Sequence, residues 1–247
     1  MTFYFKLAIL HIAATLAFVA QCIYGSTTDW VVSLSVYAFV AMSLTLTYHR
    51  FLAHKSFEFK CDWMRKFFIT VCTVGSGFSS PIAWVAIHRE HHRHSDTEKD
   101  PHRGTLRNFL KLHTTSMFIK PNIKFVVDLM RDPFCKFLHN NYFKLHVGYA
   151  LVLGIINPWL ILSFYLVPVF ILWHLGILVN SISHLVGYRT YETKDNSKNN
   201  PILGIFFFGE WHNNHHAKPY SARHGEKWWE IDITYLIIKT IGKNIKV

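Results

Sequence analysis

Long apolar runs alternate with polar segments in the N-terminal part of the chain. Residues 3 to 24 form one run and residues 30 to 48 another, and the short polar stretch Gly25 to Asp29 separates them. At about 1.5 Å of rise per helical residue, each run can cross a hydrocarbon core of about 30 Å. The pattern predicts two membrane-spanning helices joined by a tight loop.

A second apolar tract extends from about residue 142 to residue 180. Asn157 and Pro158 interrupt it, and the residue before a proline disfavours the helical conformation. We expect a turn there and two further spans, over residues 142 to 157 and residues 158 to 180. A single kinked helix is the alternative, and it would leave the two ends of the tract on opposite sides of the membrane.

Two other segments with apolar residues predict helices at the membrane surface. Residues 67 to 87 are too few for a hairpin that crosses the bilayer twice, so we interpret them as one helix in the interface. After residue 227, apolar side chains recur at helical spacing, which favours an interfacial amphipathic helix. These side chains are Trp228, Ile231, Tyr235, Ile238 and Ile241.

Composition agrees with a membrane protein of one domain, residues 1 to 247. Hydrophobic residues make up 51% of the chain, charged residues make up 17%, and the formal net charge is +11. Lys and Arg follow the apolar runs, and loops rich in these residues stay on the cytoplasmic side. We therefore expect an all-α integral membrane protein with four transmembrane helices and both termini in the cytoplasm. Residues 49 to 141 and 181 to 247 would form a cytoplasmic helical cap.

The positive charge also limits the partners that we expect. A basic cytoplasmic face suits the anionic headgroups of the lipid bilayer, a phosphate on a substrate, or an acidic electron-donor protein. Positive-inside topology alone explains most of this charge, and nucleic acid is not expected as a partner.

Histidines are concentrated at the edges of the apolar segments. His88, His91 and His92 have the spacing i, i+3, i+4, which places them on one face of a helix. The same spacing recurs near the C-terminus, and a pair five residues apart ends the second apolar run. These other members are His49, His54, His212, His215 and His216. Neutral imidazole binds first-row transition metals, and eight candidate ligands exceed what one ion uses, so the clusters predict two metals.

The first histidine pair has an unusual spacing. Residues five apart lie about 140° apart on a regular α-helix, so His49 and His54 cannot share a face without help. We expect the second span to fray or tighten there, or each histidine to bind a different metal. At the end of the last span, Asn180 and His184 are one turn apart, which suggests a ninth ligand with a neighbouring amide.

Motifs around these clusters resemble those of the membrane fatty acyl desaturases, a di-iron family with three histidine boxes, and in particular the Δ9 acyl-lipid and acyl-CoA desaturases. The resemblance covers most of the chain from about Thr47 onward. It lies in His49 to Phe57, Trp84 to Arg103, Asp132 to Phe134, Asn180 to His184, Asp195 to Asn200 and His212 to Gly225. The glycine that the family usually has before the box tryptophan is missing before Trp211, which puts the positions of Glu210 and Trp211 in doubt.

The resemblance implies the cofactors and the reaction. Two iron ions, alternating between Fe²⁺ and Fe³⁺, would be held by His49, His54, His88, His91, His92, His184, His212, His215 and His216. Asn180 would hold a metal-bound water, and O₂ would be the co-substrate. A cis double bond, Δ9 in the similar enzymes, would enter a saturated long-chain fatty acyl group carried by CoA or by a lipid. Acidic residues would orient the ligand rings. The candidates are Glu90, Asp96, Asp100 and Glu210.

Electrons for this reaction would come from another protein. The four cysteines form no pair with metal-ligand spacing, and the chain has no G-x-G-x-x-G dinucleotide fingerprint. A separate ferredoxin or cytochrome b5 is therefore expected, in a bacterial inner membrane or the endoplasmic reticulum. A fatty acyl hydroxylase on the same scaffold is one alternative. A histidine-rich metal transporter is another, although its ligands would lie within the spans.

Overall fold

Helices make up most of the structure, a computed structural model that describes residues 3 to 247. The first six are α1 (Phe3–Tyr24), α2 (Thr27–Leu44), α3 (Asp62–Gly75), α4 (Pro81–His94), α5 (Phe109–Thr115) and α6 (Pro133–Asn140). The others are α7 (Tyr142–Ile156), α8 (Val167–Ile182), α9 (Pro201–Phe206), α10 (His212–Ala217) and α11 (Ile233–Ile241). One antiparallel pair of two-residue strands, β1 (Glu58–Phe59) and β2 (Gly242–Lys243), was not anticipated by the predicted all-α class.

Within residues 3 to 247, three helical segments are long and apolar enough to cross a membrane. They are Phe3–Tyr24, Thr27–Ala53 and Leu162–Ile182. These segments overlap the first, second and fourth predicted spans. The third predicted span, residues 142 to 157, corresponds to α7, which is apolar but has only 15 residues. At about 1.5 Å per residue, α7 is shorter than a bilayer core of about 30 Å.

A turn separates α7 from the next helical segment. Asn157 is extended, with φ −164° and ψ 122°, and its Oδ1 accepts a hydrogen bond from the Trp159 amide at 2.9 Å. Pro158 has no amide hydrogen with which to continue the helix. A π-helical segment, Ile161–Leu166, then leads into α8. The predicted turn is confirmed, and the alternative of one kinked helix is wrong.

The end of α2 continues as a π-helix, Thr45–Ala53. Its hydrogen bonds join residues five apart, and the amide of His54 donates to the carbonyl oxygen of His49 at 3.1 Å. This wider turn carries side chains five residues apart to the same side of the helix. The expectation that the span frays or tightens here is therefore wrong, because the helix widens instead.

The apolar residues 67 to 87, predicted as one interfacial helix, belong to two helices. Between α3 and α4, Gly77 has φ +67° and Ser79 has φ 138°, which a continuous helix does not allow. The Ser80 side chain then caps α4 by accepting a hydrogen bond from the Ala83 amide at 3.3 Å. The break lets α3 pack on α2 and α7 while α4 packs on the π-helical end of α2.

The C-terminal helix is shorter than the amphipathic pattern predicts. The side chain of Asp232 caps α11 by accepting a hydrogen bond from the Tyr235 amide at 2.9 Å. Trp228 and Ile231 precede the helix in a turn, where the Glu230 carboxylate accepts hydrogen bonds from two backbone amides at 2.7 and 3.0 Å. Side chains that bind backbone amides stop the helix from starting earlier.

The largest apolar core lies where α3, α4, α6 and α8 meet α2 and its π-helical extension. Each of these elements contributes a buried side chain. Examples are Tyr48, Ile69, Val85, Leu138 and Leu172. Burying one such aliphatic side chain contributes about 1.5 to 3 kcal/mol. The apolar first half of α4 is anchored in this core, and its histidine-rich second half extends past the edge of the core.

Candidate metal centre

Helix α4 presents three of the clustered histidines on one face, as their spacing predicts. His88 is 8% exposed and His91 is fully buried. The His88 ring stacks on the ring of Trp84, one turn earlier, with 4.8 Å between centroids and an interplanar angle of 12°. This contact fixes the orientation of His88 toward His92, whose ring centroid is 4.6 Å away.

The other six predicted ligands come from the π-helical end of α2, from the residues just after α8, and from α10. They are His49, His54, His184, His212, His215 and His216. All except His216 are buried, and His216 is half-buried. These elements end at the same edge of the core as α4, so residues as distant as His49 and His215, 166 positions apart, come into contact.

The nine histidines form two compact groups in which the ligand nitrogens lie within 4.8 Å of one another. The five-histidine group contains His49, His54, His88, His92 and His215. The four-histidine group contains His91, His184, His212 and His216. Every histidine predicted as a ligand is therefore in one of the two groups. His49 and His54 are in the same group, because the π-helix brings them to one side.

The geometry within the groups fits transition-metal ions. Four pairs of Nε2 atoms are 2.8 to 3.0 Å apart: His54–His88, His49–His215, His92–His215 and His184–His212. Two ligands at right angles around an ion, with metal–nitrogen bonds of about 2.1 Å, have the same separation of about 3 Å. The Nε2 atoms of His91 and His216 are buried without a hydrogen-bond partner among the described residues. Coordination of metal ions by Nε2 accounts for both observations.

Carboxylates lie against the opposite ring nitrogen, Nδ1, of four of these histidines. Three of them form hydrogen bonds, whereas Oε2 of Glu210 approaches Nδ1 of His49 without hydrogen-bond geometry. The pairs are His49–Glu210 at 3.1 Å, and His91–Asp100, His184–Asp96 and His216–Asp195, each at 2.9 Å. A carboxylate at Nδ1 fixes the tautomer and leaves Nε2 free for a metal. Three of these acids serve the four-histidine group and one serves the five-histidine group, so the negative charge is concentrated behind the smaller group.

Three of these four acids are among those expected from the sequence. Asp96, Asp100 and Glu210 lie beside a predicted ligand, whereas the Glu90 side chain forms no hydrogen bond or ion pair among the described residues. Asp195 was missed as an orienting group, although it begins one of the motifs on which the resemblance rests. Its distance of 21 positions from His216 gave no local signal.

The missing glycine before Trp211 does not displace the third histidine box. Trp211 and Glu210 are 1% and 5% exposed, and the Trp211 indole donates to the Ile231 carbonyl oxygen at 3.1 Å. The chain enters this segment through Gly209, which has φ +109°, and a side chain there would collide with Asp232. Glu210 also forms a smaller group with His215 and His224, behind the five-histidine group.

Arg50 is one of the cations that follow the apolar runs in the sequence, and in the structure it positions the C-terminal segment. It is fully buried, and its Nη1 donates to Oδ1 of Asp232 and to the carbonyl oxygen of Ala222, both at 2.9 Å. Its Nη2 donates to the carbonyl oxygen of Gly209 at 3.0 Å. Arg50 thereby holds the C-terminal segment against the turn that carries His49.

Burial favours the neutral form, which binds metals, in six of these imidazoles. Removal from water lowers the pKa of most of them well below the ordinary value, and neighbouring imidazoles lower it further because a second positive charge is unfavourable. This holds for His54, His88, His92, His212 and His215. Burial lowers the pKa of His216 to about 4, although its bond to Asp195 opposes the change.

Comparison with known proteins identifies the family. The family model of the fatty acid desaturases matches residues 28 to 239. The chain belongs to the fatty acid desaturase family. The desaturase is 36% identical over 247 residues to the sn-1 stearoyl-lipid 9-desaturase of Anabaena variabilis, an alignment that covers 94% of this chain and 86% of the relative.

Further relatives of the desaturase come from another bacterium and from a plant. It is 35% identical over 226 residues to the sn-2 palmitoyl-lipid 9-desaturase of Nostoc sp. (strain 36), and this alignment covers 85% of this chain and 77% of the relative. It is 35% identical over 219 residues to Delta-9 acyl-lipid desaturase 1 of Arabidopsis thaliana, and this alignment covers 84% of this chain and 70% of the relative. The predicted family and the enzyme class, a fatty acyl desaturase, are confirmed.

Two adjoining cavities in the desaturase reach the histidine groups. The first cavity has a volume of about 270 Å³ and extends between α1, α4, α8 and the segment around Ser116. The second cavity, of about 60 Å³, includes His49 and His212 in its wall. Four residues line both cavities: Phe78, Trp84, His88 and Asn180. The two cavities therefore meet beside the candidate metal centre, and the ring of Phe78 lies between them.

Proposed function

We propose that this desaturase holds two iron ions, one in each histidine group, and inserts a cis double bond into a saturated long-chain fatty acyl group. The five-histidine group would bind one iron. The four-histidine group would bind the other, with a water held by Asn180. The observation that carries the proposal is that Nε2 atoms from four separate elements converge at metal-ligand separations of 2.8 to 3.0 Å.

Iron is the metal that suits this reaction. An unactivated methylene C–H bond resists acid–base chemistry, and an iron pair, when bound, supplies the redox chemistry by which O₂ becomes an oxidant able to remove two hydrogens. The protein's own residues would bind the ions and orient the ligand rings and the acyl chain. Carboxylates fix the ligand rings, and the stacked pair of Trp84 and His88 closes one side of the cavity wall beside the centre.

The first cavity is the proposed site of the acyl chain. Its wall combines apolar side chains, including Leu7, Phe78 and Trp173, with His88 and Asn180 of the candidate centre. An acyl chain lying there would present one pair of methylenes to the irons, which is the positioning contribution that an enzyme makes to such a reaction. Since the relatives described above are named as 9-desaturases, we propose the Δ9 position for this chain as well.

We propose an integral membrane protein of one domain with four spans, the short α7 among them. All four elements that carry ligands end at one edge of the core, and basic residues follow the apolar segments on that side. This distribution supports both termini in the cytoplasm and residues 49 to 141 and 181 to 247 as a cytoplasmic cap. The membrane would be a bacterial inner membrane or the endoplasmic reticulum.

A separate ferredoxin or cytochrome b5 is the proposed source of electrons. The exposed cations Arg223 and Lys227 follow the third histidine box, beside the buried His224. Opposite charge on a donor would speed association with this surface. The proposal predicts that turnover with an acidic donor slows as ionic strength rises.

Expression in a host with a known fatty-acid profile, followed by mapping of double bonds, tests the function. We expect new Δ9 monounsaturated chains, two irons per purified chain, and neither with His92→Ala. New hydroxyl groups without double bonds would instead identify a hydroxylase. Metal flux into vesicles without any change in acyl composition would identify a transporter.

A further inference from the structure

The segment from Pro201 to Gly209 has no polar side chain, although it lies well after the last span. It comprises helix α9 and the turn that leads to the third histidine box. Leu203 and Phe207 pack into the largest apolar core. The opposite side of the segment is open, and a contiguous apolar surface of this kind marks an interaction site. Its exposed side chains are Ile202, Ile205 and Phe206, at 67%, 68% and 48%.

A hydrogen bond to α2 fixes the depth of this segment. The Tyr37 hydroxyl donates to the carbonyl oxygen of Phe206 at 2.9 Å. Tyr37 belongs to the membrane-crossing segment Thr27–Ala53, and about 12 Å of helix separates it from Thr45, where the π-helical turn begins. A tyrosine side chain is too short to reach back over that distance. The apex of the segment is therefore deeper in the span than the histidines of the π-helical turn.

The surface of α2 next to this contact is open to its surroundings. Leu34 lies one turn before Tyr37 on the same face of α2 and is 51% exposed. Toward the π-helical turn, in contrast, residues 43 to 50 are all buried. The apolar side of the segment thus adjoins the part of α2 that is open within the span.

The backbone of the segment is hydrogen-bonded within the protein, as irregular backbone at membrane depth requires. The amide of Phe208 donates to the carbonyl oxygen of Ile205 at 3.0 Å. The amide of Gly209 donates to that of Gly204 at 2.8 Å. The carbonyl oxygen of Phe208 accepts hydrogen bonds from the amide and the hydroxyl of Thr234 at 2.9 and 3.0 Å. Together with the bond from α2, these contacts satisfy the polar groups of the turn and leave apolar side chains on its outer surface.

We propose that residues 201 to 209 insert into the cytoplasmic leaflet beside α2 and contact the acyl chains of bilayer lipids. Phe207 is 3% exposed and lines the second cavity with His49 and His212, whereas the neighbouring Phe206 faces outward. This one segment therefore separates the bilayer from the cavity beside the candidate metal centre. The inference rests on the membrane placement of α2 in the proposed function and not on the proposed reaction.

Collisions of a nitroxide label with oxygen and with a polar nickel chelate test this depth. The full chain would carry Cys22→Ala and Cys61→Ala, because these two cysteines are exposed. A label would be attached at Ile205→Cys or, in a second variant, at Phe206→Cys, and the protein would be placed in phosphatidylcholine vesicles. Oxygen enters hydrocarbon, whereas a polar complex is excluded from it.

Two control positions calibrate the labels. Phe39→Cys marks the span, because Phe39 is an exposed residue of α2. Glu192→Cys marks water, because this side chain of the cytoplasmic cap is 93% exposed. We expect nickel collisions at positions 205 and 206 to be about tenfold less frequent than at position 192, with oxygen collisions as frequent as at position 39.

Nickel collisions at positions 205 and 206 as frequent as at position 192 would place the segment in water and overturn the proposal. Shielding from both reagents would also overturn it, since a protein surface would then cover the segment. Free access of nickel to position 39 would refute the membrane placement of α2 and this inference with it. The measurement involves no turnover, so failure of the proposed reaction would not alter its result.

Discussion

Arg89 and Asp128 form a double ion pair, with Nη1 to Oδ1 at 2.8 Å and Nη2 to Oδ2 at 3.0 Å. The same guanidinium donates to the carbonyl oxygens of Leu52 at 2.6 Å and Ala53 at 3.0 Å, just before His54. Arg89 is also the residue after His88 on α4. One side chain therefore holds together two elements that carry histidines of the five-histidine group.

Replacing Arg89 by Gln is expected to loosen that group. The loss of charged hydrogen bonds to largely buried carbonyl oxygens costs about 1.5 to 3 kcal/mol. We expect a lower free energy of unfolding in detergent and less iron bound per chain. Arg93→Gln, an exposed cation one turn later on the same helix, is the control and should change stability by less than about 0.5 kcal/mol. Equal effects of the two variants would contradict the role assigned to Arg89.

The stabilisation from Arg89 and Asp128 should depend on pH. Burial alone would raise the pKa of Asp128, but hydrogen bonds and charge from Arg89 and Lys55 hold it well below its usual value of 3.8. A carboxyl with a depressed pKa stabilises the fold above its unfolded pKa and loses this contribution as the pH falls toward the folded pKa. The free energies of urea unfolding of the metal-free parent and of Arg89→Gln should differ most above about pH 5, and the difference should shrink progressively as the pH falls below 3.8. A constant difference across that window would refute this expectation.

Asp100→Asn is expected to weaken metal binding in the four-histidine group. The substitution keeps the size of the side chain but removes the charge that orients His91. Loss of such a partner typically lowers metal affinity about 10- to 100-fold. Competition with a chelator, followed by iron analysis, measures this without relying on turnover. Glu90→Gln, which changes an acid on α4 that has no partner among the described residues, should retain both irons. Retention of both irons by Asp100→Asn at the parent's affinity would count against the assignment.

Gly176→Ala is expected to shift the product profile toward shorter acyl chains. A methyl group at position 176 would overlap the ring of Phe78, which lies between the two cavities, and would push the ring into the space for the chain. Phe78→Leu in the same background should restore longer products. Gly148→Ala is the control, because an added Cβ there meets nothing within 4 Å. Chain-length analysis of the monounsaturated products would detect the shift, and equal profiles for the two alanine variants would rule it out.

Arg50→Met is expected to destabilise the protein strongly, since it leaves the buried Asp232 without its cation. Breaking one side of a buried ion pair costs about 3 to 5 kcal/mol. Adding Asp232→Asn should restore part of the loss. The control is Lys66→Met, which removes an exposed pair with Asp62 that is worth no more than about 1 kcal/mol. Thermal unfolding in detergent distinguishes the outcomes, and similar midpoints for both single variants would contradict this reading of Arg50.

The sequence was most informative where the pattern is local. The spacing of His88, His91 and His92 depends only on helix geometry, and the structure has that shared face. The turn at Asn157 follows from the chemistry of the residue before proline. The length of α11 was overestimated, because apolar periodicity does not register that the Asp232 side chain binds a backbone amide.

The sequence pattern does not predict contacts between residues that are far apart along the chain. Asp195 reaches His216 only because the loop after α8 folds back over α10, and no local spacing signals that contact. Arg50 cannot be distinguished in the sequence from a cation that faces the cytoplasm, although it is fully buried. The break between α3 and α4 depends on positive φ angles at Gly77 and Ser79. A serine in the sequence does not predict a positive φ angle, because residues other than glycine rarely adopt one.

The π-helical turn between Thr45 and Ala53 has a consequence for how this protein tolerates length changes. An ordinary α-helix over the same residues would leave His49 and His54 about 140° apart, so the wide turn is what accommodates their spacing of five. Deleting one residue between them would place them four residues apart, which shares a face in an ordinary α-helix, whereas inserting one more would turn them about 120° away from each other in an ordinary α-helix. A one-residue insertion here should therefore be far more damaging than a one-residue deletion, and more damaging than an insertion of the same size in the loop between α1 and α2.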